Sequence, residues 1–454
     1  MRKFLKEELI SLAVPIFLEL FFMNLLGFFD TFMISKYSQN SVIAVGNATT
    51  VIGIFTVLLS VASRGTNVII SQYLGAKQEE NALKTLHSGI LFNLLLSLIL
   101  LTVVELFGYE LLKMIKVDNM YIDEATTYLS IVAIGMPFIS ITNCFGAAFR
   151  SYKKPKILTI SSIISNIFNV ICNYILIFGI GGLFKPLGSL GAGIATLLSY
   201  ILNFLIGYIF LHRLLHKRIF SLKIDLTNLK KLLHIGLPSA LESFVYTFSN
   251  MILMSAVNTL DSLNPGLAAG RSYLNQLLGF IFQLSMSFGL ANQILVGHSV
   301  GKGDADEAKR STYKAIMICL PIVEFLVLIL IIFGREIFSI YAPNNNAELP
   351  KFEIALKEII HVLPFIFLLE FGRGMNLILV NALQATGDVI FPLVMAVISM
   401  LLFMALGSYL FGVWLNLGLL GIYIGSIIDE CFRGIVMLIR FKGGKWQRKK
   451  LIEA

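Results

Sequence analysis

Roughly twelve mostly apolar stretches follow one another along this chain, each reaching the ~20 residues that a membrane-crossing helix needs. They fall near 9–34, 46–72, 87–108, 123–149, 157–179, 189–211, 234–257, 267–297, 314–334, 354–381, 389–411 and 417–439. The runs are continuous rather than alternating, which excludes a membrane β-barrel. Hydrophobic residues make up 57% of the 454 and charged residues only 14%, against about 25% charged in soluble domains. The chain therefore reads as an all-α polytopic membrane protein. The first run follows a basic start and lacks a cleavage signature, so it is expected to stay as the first span. Cys144, Cys172, Cys319 and Cys431 all lie in apolar stretches without CxxC spacing, which indicates neither a metal site nor a disulfide framework.

The net charge of +9 is distributed by loop rather than by patch. One alternate set of connections holds 24 lysines and arginines, in clusters such as Arg150, Lys153, Lys154 and Lys156. The same set includes Lys223 in the middle of the chain and Lys450 in the tail. The other set holds seven: Lys36, Lys113, Lys116, Lys185, Arg335, Lys351 and Lys357. Cytoplasmic loops are the basic ones, so both termini are expected in the cytoplasm, which requires an even number of spans. Twelve satisfies it. Basic residues placed this way point to a bilayer and not to nucleic acid.

The chain also repeats itself. "SLAVP" ending at Pro15 matches "HIGLP" ending at Pro238, and "QYLGAKQEENALK" around Gly75 matches "HSVGKGDADEAKR" around Gly301. "GMPF" at Pro137 matches "VLPF" at Pro364, and "LGSLGAG" at Gly188 matches "LGLLGIY" at Gly418. Four landmarks in one order indicate an internal duplication. Residues 1–211 are expected to form an N-terminal six-helix lobe, 212–233 a cytoplasmic linker, 234–439 a C-terminal six-helix lobe and 440–454 a basic cytoplasmic tail. Lobes with six spans each share one orientation and should be related by a pseudo-two-fold axis along the membrane normal.

These landmarks, with "FFDTFMI" in the first span, "NIFNVICNYILIFG" in the fifth and "ALQATGD" in the second half, resemble the multidrug and toxic compound extrusion (MATE) transporters. That family belongs to the flippase-like (MOP) superfamily. The resemblance covers nearly the whole chain. It implies two lobes arranged in a V around a central cavity, and export of cationic or amphipathic compounds against inward flow of Na⁺ or H⁺. One position departs from the family pattern, which often has an aspartate where this chain has Asn173. Asp30 is then the clearest ionisable group of the first lobe.

Polar groups at bilayer depth are costly, so each needs a reason. By helix rise, Asp30 lies about 27 Å along the first span and Asn173 about 26 Å along the fifth, while Thr196 lies roughly 10 Å from the other surface. Asn169 and Asn173 are four apart and share a helix face. Asp30, Asn169, Asn173 and Thr196 therefore form the expected cation-binding or protonation site, with Na⁺ possible at Asp30, Asn169 and Asn173. The alternative is an interhelical hydrogen-bond cluster. Glu242, about 12 Å into the seventh span, and Glu370, about 22 Å down the tenth, form a candidate second-lobe site with Arg373. Arg373 could equally neutralise Glu370 three residues away. Asp429 and Arg433 are spaced to pair, with Glu430 beside them. Glu19 shares a helix face with Asp30. Glu324 lacks a partner on its own helix. Arg64 and Glu105 read as snorkelling span-end charges, and Arg271 as interfacial.

The Gly181–Gly182 pair and Gly301-x-Gly303 are not phosphate loops, because GxxxxGK[ST] is absent. Without an HExxH motif or a nucleophile constellation, enzyme activity is not expected. The expected protein is a cell (plasma) membrane antiporter and a monomer, with neither a cofactor nor an ATPase subunit, exchanging cationic small molecules for Na⁺ or H⁺. A flippase for lipids or lipid-linked oligosaccharides is the alternative. Such a flippase would need several cavity cations for pyrophosphate, whereas the deep residues here are mainly acidic.

Overall fold

The computed structural model describes residues 2–179, 185–221, 225–263, 265–342, 349–449 and 451–452. Gly181, Gly182, Lys223 and Lys450 lie outside the described residues. Among the described residues every regular element is helical. The helices are α1 (Arg2–Tyr37), α2 (Gln39–Gly75), α3 (Glu79–Met114), α4 (Asn119–Ala133), α5 (Met136–Ser151), α6 (Lys156–Phe178) and α7 (Ser189–Leu215). They continue with α8 (Leu226–Leu263), α9 (Leu267–Gly301), α10 (Ala305–Ile332), α11 (Gly334–Ser339), α12 (Leu349–Thr386), α13 (Ile390–Ser399) and α14 (Gly418–Lys442). Two π-helical stretches, Met400–Leu406 and Ser408–Trp414, prolong α13.

Among the described residues nine of these rods are long and apolar enough to cross a membrane, and the bent pair α4–α5 makes a tenth. At 38 and 25 residues, α12 and α14 also exceed the length needed to cross a ~30 Å hydrocarbon layer at about 1.5 Å per residue. They complete the twelve and carry most of the buried charge. The fourth span differs from the single run 123–149 read from the sequence. It bends by 47° between α4 and α5, where Gly135 is followed by Pro137, whose nitrogen has no hydrogen for the helix ladder.

The chain forms two compact units, Val14–Ala240 and Met1–Ala13 with Leu241–Ala454. The breaks in α1 and α8 fall beside Pro15 and Pro238, the paired prolines of the sequence repeat. The described part of the segment between the halves packs into the first unit. His87 Nε2 lies 2.8 Å from the Arg218 carbonyl, and Tyr73 donates its hydroxyl to Asn228 Oδ1 at 2.9 Å.

Each unit repeats the other's helix caps. Beyond α2, the Gln78 N–H bonds the Tyr73 carbonyl at 2.8 Å with Lys77 left-handed. Beyond α9, the Asp304 N–H bonds the Ser299 carbonyl at 2.9 Å with Gly303 left-handed. These are six-to-one closures of the kind that ends a helix at a left-handed residue. The pattern recurs beyond α5 (Lys154 to Phe149, 2.8 Å) and beyond α12 (Asp388 to Leu383, 3.0 Å).

Glycine sets the closest helix approaches. A Cβ on Gly191 of α7 would lie 2.5 Å from the Leu176 carbonyl oxygen of α6. One on Gly421 of α14 would lie 2.4 Å from the Phe411 backbone. Small residues at such crossings let backbones pack where lipid offers no hydrophobic drive. The contact between α6 and α7 places the polar face of α6 inside the first unit.

Candidate functional site

The buried face of α6 carries Ser165, Asn169 and Asn173 at four-residue spacing, one side of a helix. Asn173 Nδ2 donates to Asp30 Oδ1 of α1 at 2.5 Å and to Asn169 Oδ1 at 2.9 Å. Both asparagines are fully buried. Their remaining groups, Asn173 Oδ1 and Asn169 Nδ2, have no hydrogen-bond partner, nor does Ser165 Oγ. Among the described residues no lysine or arginine pairs with Asp30. A buried orphan acceptor beside an unpaired carboxylate suits a hard cation with oxygen ligands. Among the described residues no group of three or more His, Cys, Asp or Glu could hold a metal ion.

Thr196 does not join Asp30 directly. Its hydroxyl donates to the Ala192 carbonyl at 3.0 Å and also hydrogen-bonds Tyr128 of α4. Tyr128 and Tyr200 both stand close enough to sense the Asp30 charge. Neither was read from the sequence, although Tyr200 lies four residues beyond Thr196 on the same helix face. Glu19 is held by Arg150, whose Nη1 reaches its two carboxylate oxygens at 3.0 and 3.3 Å. Arg64 is tied down rather than snorkelling: Nε donates to Ser60 Oγ and Nη1 to the Ser239 carbonyl, each at 3.2 Å.

In the second unit, α12 and α14 face each other through charges. Glu370 is fully buried and pairs with Arg373. Arg373 Nε also reaches Glu430 Oε1 at 3.5 Å, and Arg433 Nη2 reaches that same oxygen at 3.0 Å. Arg433 closes on Asp429 at 2.7 Å. Asn376 Nδ2 donates to Glu430 Oε2 at 3.0 Å. Glu430 thus joins two arginines on different helices, a role that spacing within α14 could not reveal. Glu242 accepts from Gln384 Nε2 of α12 at 3.2 Å. Both carboxylate oxygens of Glu324 are buried without a partner. Arg271 is not interfacial: at 9% exposure it lines a cavity of about 230 Å³ together with Arg373, Asp429 and Glu430.

The MatE family model matches residues 15–175 and 238–410, one stretch in each half of the chain. The chain belongs to the MATE family. Like other MATE members it is a multi-pass membrane transporter, not an enzyme, and needs no cofactor. It is 33% identical to the uncharacterized transporter YisQ of Bacillus subtilis strain 168, over 97% of this chain and 95% of that protein. It is 26% identical to the probable multidrug resistance protein NorM of Thermotoga maritima, over 99% of this chain and 94% of that protein. Among solved structures, a MOP superfamily transporter from Pyrococcus furiosus, described as having a binding pocket of reverse polarity, superposes with a TM-score of 0.86. It shares 19% identity and covers 97% of this chain and 95% of its own. The twelve-helix MATE fold is therefore this chain's fold.

Proposed function

We propose that this MATE-family protein is a secondary antiporter that exports cationic or amphipathic organic compounds in exchange for Na⁺ or H⁺. The observation that carries the reading is the Asp30 carboxylate, hydrogen-bonded by Asn173 but paired with no cation among the described residues. A carboxylate in a membrane span costs about 2.5–3.5 kcal/mol even on the lenient insertion scale. A visiting cation or proton offsets that cost. Asp30, Asn169 and Asn173 supply its oxygens, and Thr196 and Tyr128 form the neighbouring hydroxyl pair. Binding there biases the conformational equilibrium by the difference in ion affinity between states, and that difference drives alternating access. The NorM relatives, called probable multidrug resistance proteins, support a drug-like cargo. Glu370 with Arg373, together with Glu242, acts as a second-lobe site whose two carboxylates and one guanidinium leave a net negative charge. The protein works as a monomer in the cell membrane with both termini cytoplasmic.

The test is export of a cationic dye by proteoliposomes under an imposed Na⁺ gradient or an imposed H⁺ gradient. One gradient should drive export, and Asp30→Asn should abolish it while insertion stays normal. Export that ignores both gradients would reject the antiport reading.

A further inference from the structure

The second unit's cavity holds a charge that its surroundings do not answer. Its other charged lining groups are mutually engaged: Arg373 with Glu370 and Glu430, and Asp429 and Glu430 with Arg433. Arg271 stands apart. It is 9% exposed, its Nη1 donates only to the Met254 thioether at 3.0 Å, and its Nε has no partner. Among the described residues it enters no ion pair. A guanidinium does not lose its charge in proteins, and a thioether is a weak acceptor. A buried cation left this way is strongly disfavoured unless an anion comes to it.

The rest of the wall defines which anion. Asn275 lies one helical turn beyond Arg271 and accepts the Tyr423 hydroxyl at 3.0 Å, so amide and phenol sit beside the guanidinium. Tyr246 and Phe282 supply aromatic surface. Asp429 and Glu430 on the same lining disfavour a dianion such as phosphate. The volume of about 230 Å³ is below the ~300–1,000 Å³ of drug-sized pockets, which suits a body of one or two rings.

We propose that this cavity is a binding site for an aromatic monocarboxylate, with the carboxylate held by the fork of Arg271 and the ring set against Tyr246 and Phe282. Planar guanidinium and planar carboxylate match through two parallel hydrogen bonds. The site stands independently of ion exchange at Asp30.

Binding to the purified full-length protein in nanodiscs, without any gradient, tests it. The probes are 2-naphthoate, the neutral 2-naphthylmethanol and the cationic 2-naphthylmethylammonium. Wild type should bind naphthoate at least tenfold more tightly than either isostere. Arg271→Gln should remove that preference, and Arg271→Lys should keep part of it. Equal affinity for the carboxylate and the alcohol, or tighter binding of the ammonium, would overturn the proposal, as would an unchanged preference in folded Arg271→Gln. Should Arg271→Gln fail to fold, the wild-type comparison alone still decides.

Discussion

Asn173 donates through one nitrogen to both Asp30 and Asn169, while its own carbonyl oxygen is buried without a hydrogen-bond partner. In the proposed ion site the amide would hold the carboxylate in place and offer its free oxygen to the incoming cation. Asn173→Ala should remove both functions. A hydrogen bond to a charged group is worth about 1.5–3 kcal/mol, so gradient-driven export should fall by roughly tenfold to a hundredfold with the fold kept. Asn173→Asp, which keeps the free oxygen but exchanges the donor nitrogen for a second, charged oxygen, should retain export only with a changed dependence on ion concentration and pH. Initial export rates across a series of external Na⁺ and pH values separate the two variants. If Asn173→Ala transports like wild type, Asn173 does not belong to the ion site.

The Asp429–Arg433 pair makes a prediction about stability. Both side chains are nearly inaccessible, Arg433 bonds both carboxylate oxygens, and Ser399 donates to the same aspartate at 2.5 Å. Breaking a buried pair from one side costs about 3–5 kcal/mol, whereas replacing both members with apolar groups is often neutral. Asp429→Ala should therefore lower the thermal midpoint of the detergent-purified protein far more than the double change Asp429→Leu with Arg433→Met. Equal midpoints for the single and double variants would show that the pair does not set stability.

Much of this architecture is legible in the sequence because a bilayer fixes helix length and makes each deep charge conspicuous. Twelve apolar runs, the paired Pro15 and Pro238, and the i, i+3 and i, i+4 spacings of Glu370–Arg373 and Asp429–Arg433 can all be read from single helices. What could not be read is which helix faces meet. Glu430 bridges α14 to α12, and Tyr128 reaches Thr196 from α4, contacts created only by packing. Arg271 reads as interfacial because it lies near the end of an apolar run, yet packing buries it beside a cavity. The π-helical turns of 400–414 lie where Gly421 and Gly425 bring α14 against the backbone between Phe403 and Phe411, and an uninterrupted apolar run carries no sign of them.

That close approach can be tested with alanine. A methyl at Gly421 would meet the Phe411 backbone at 2.4 Å, whereas one at Gly46 of α2 would have nothing within 4 Å. Gly421→Ala should cost about 1–3 kcal/mol through overpacking. Gly46→Ala should be neutral or gain about 0.5–1 kcal/mol, since glycine inside a helix is less favourable than alanine. Thermal midpoints in the same detergent should move in opposite directions or, at the least, only for Gly421→Ala. A harmless Gly421→Ala would mean that α14 can move away from the π-helical stretch without loss.

The basic segment that starts at Arg440 has its first residues built into the second unit. Arg440 grips Asp388 with two bonds, 2.7 and 3.1 Å, and its guanidinium lies 4.6 Å from the centre of the Phe391 ring. Trp446 is 1% exposed, stacks on Phe441 at 5.1 Å between ring centres and donates Nε1 to the Phe441 carbonyl at 2.8 Å. The tail thereby covers the left-handed turn at Gly387 that ends α12, where Leu451 occupies the space a Cβ would need. Trp446→Ala should cost about 3–5 kcal/mol as a large buried aromatic, and deleting 443–454 should cost at least as much. Asp388→Asn should cost less, because the cation–π contact and one hydrogen bond from the guanidinium to the amide oxygen persist. Protease sensitivity at the turn after α12 should rise in the order Asp388→Asn, Trp446→Ala, deletion. A deletion variant as stable and as protease-resistant as wild type would show that the tail does not hold the turn after α12.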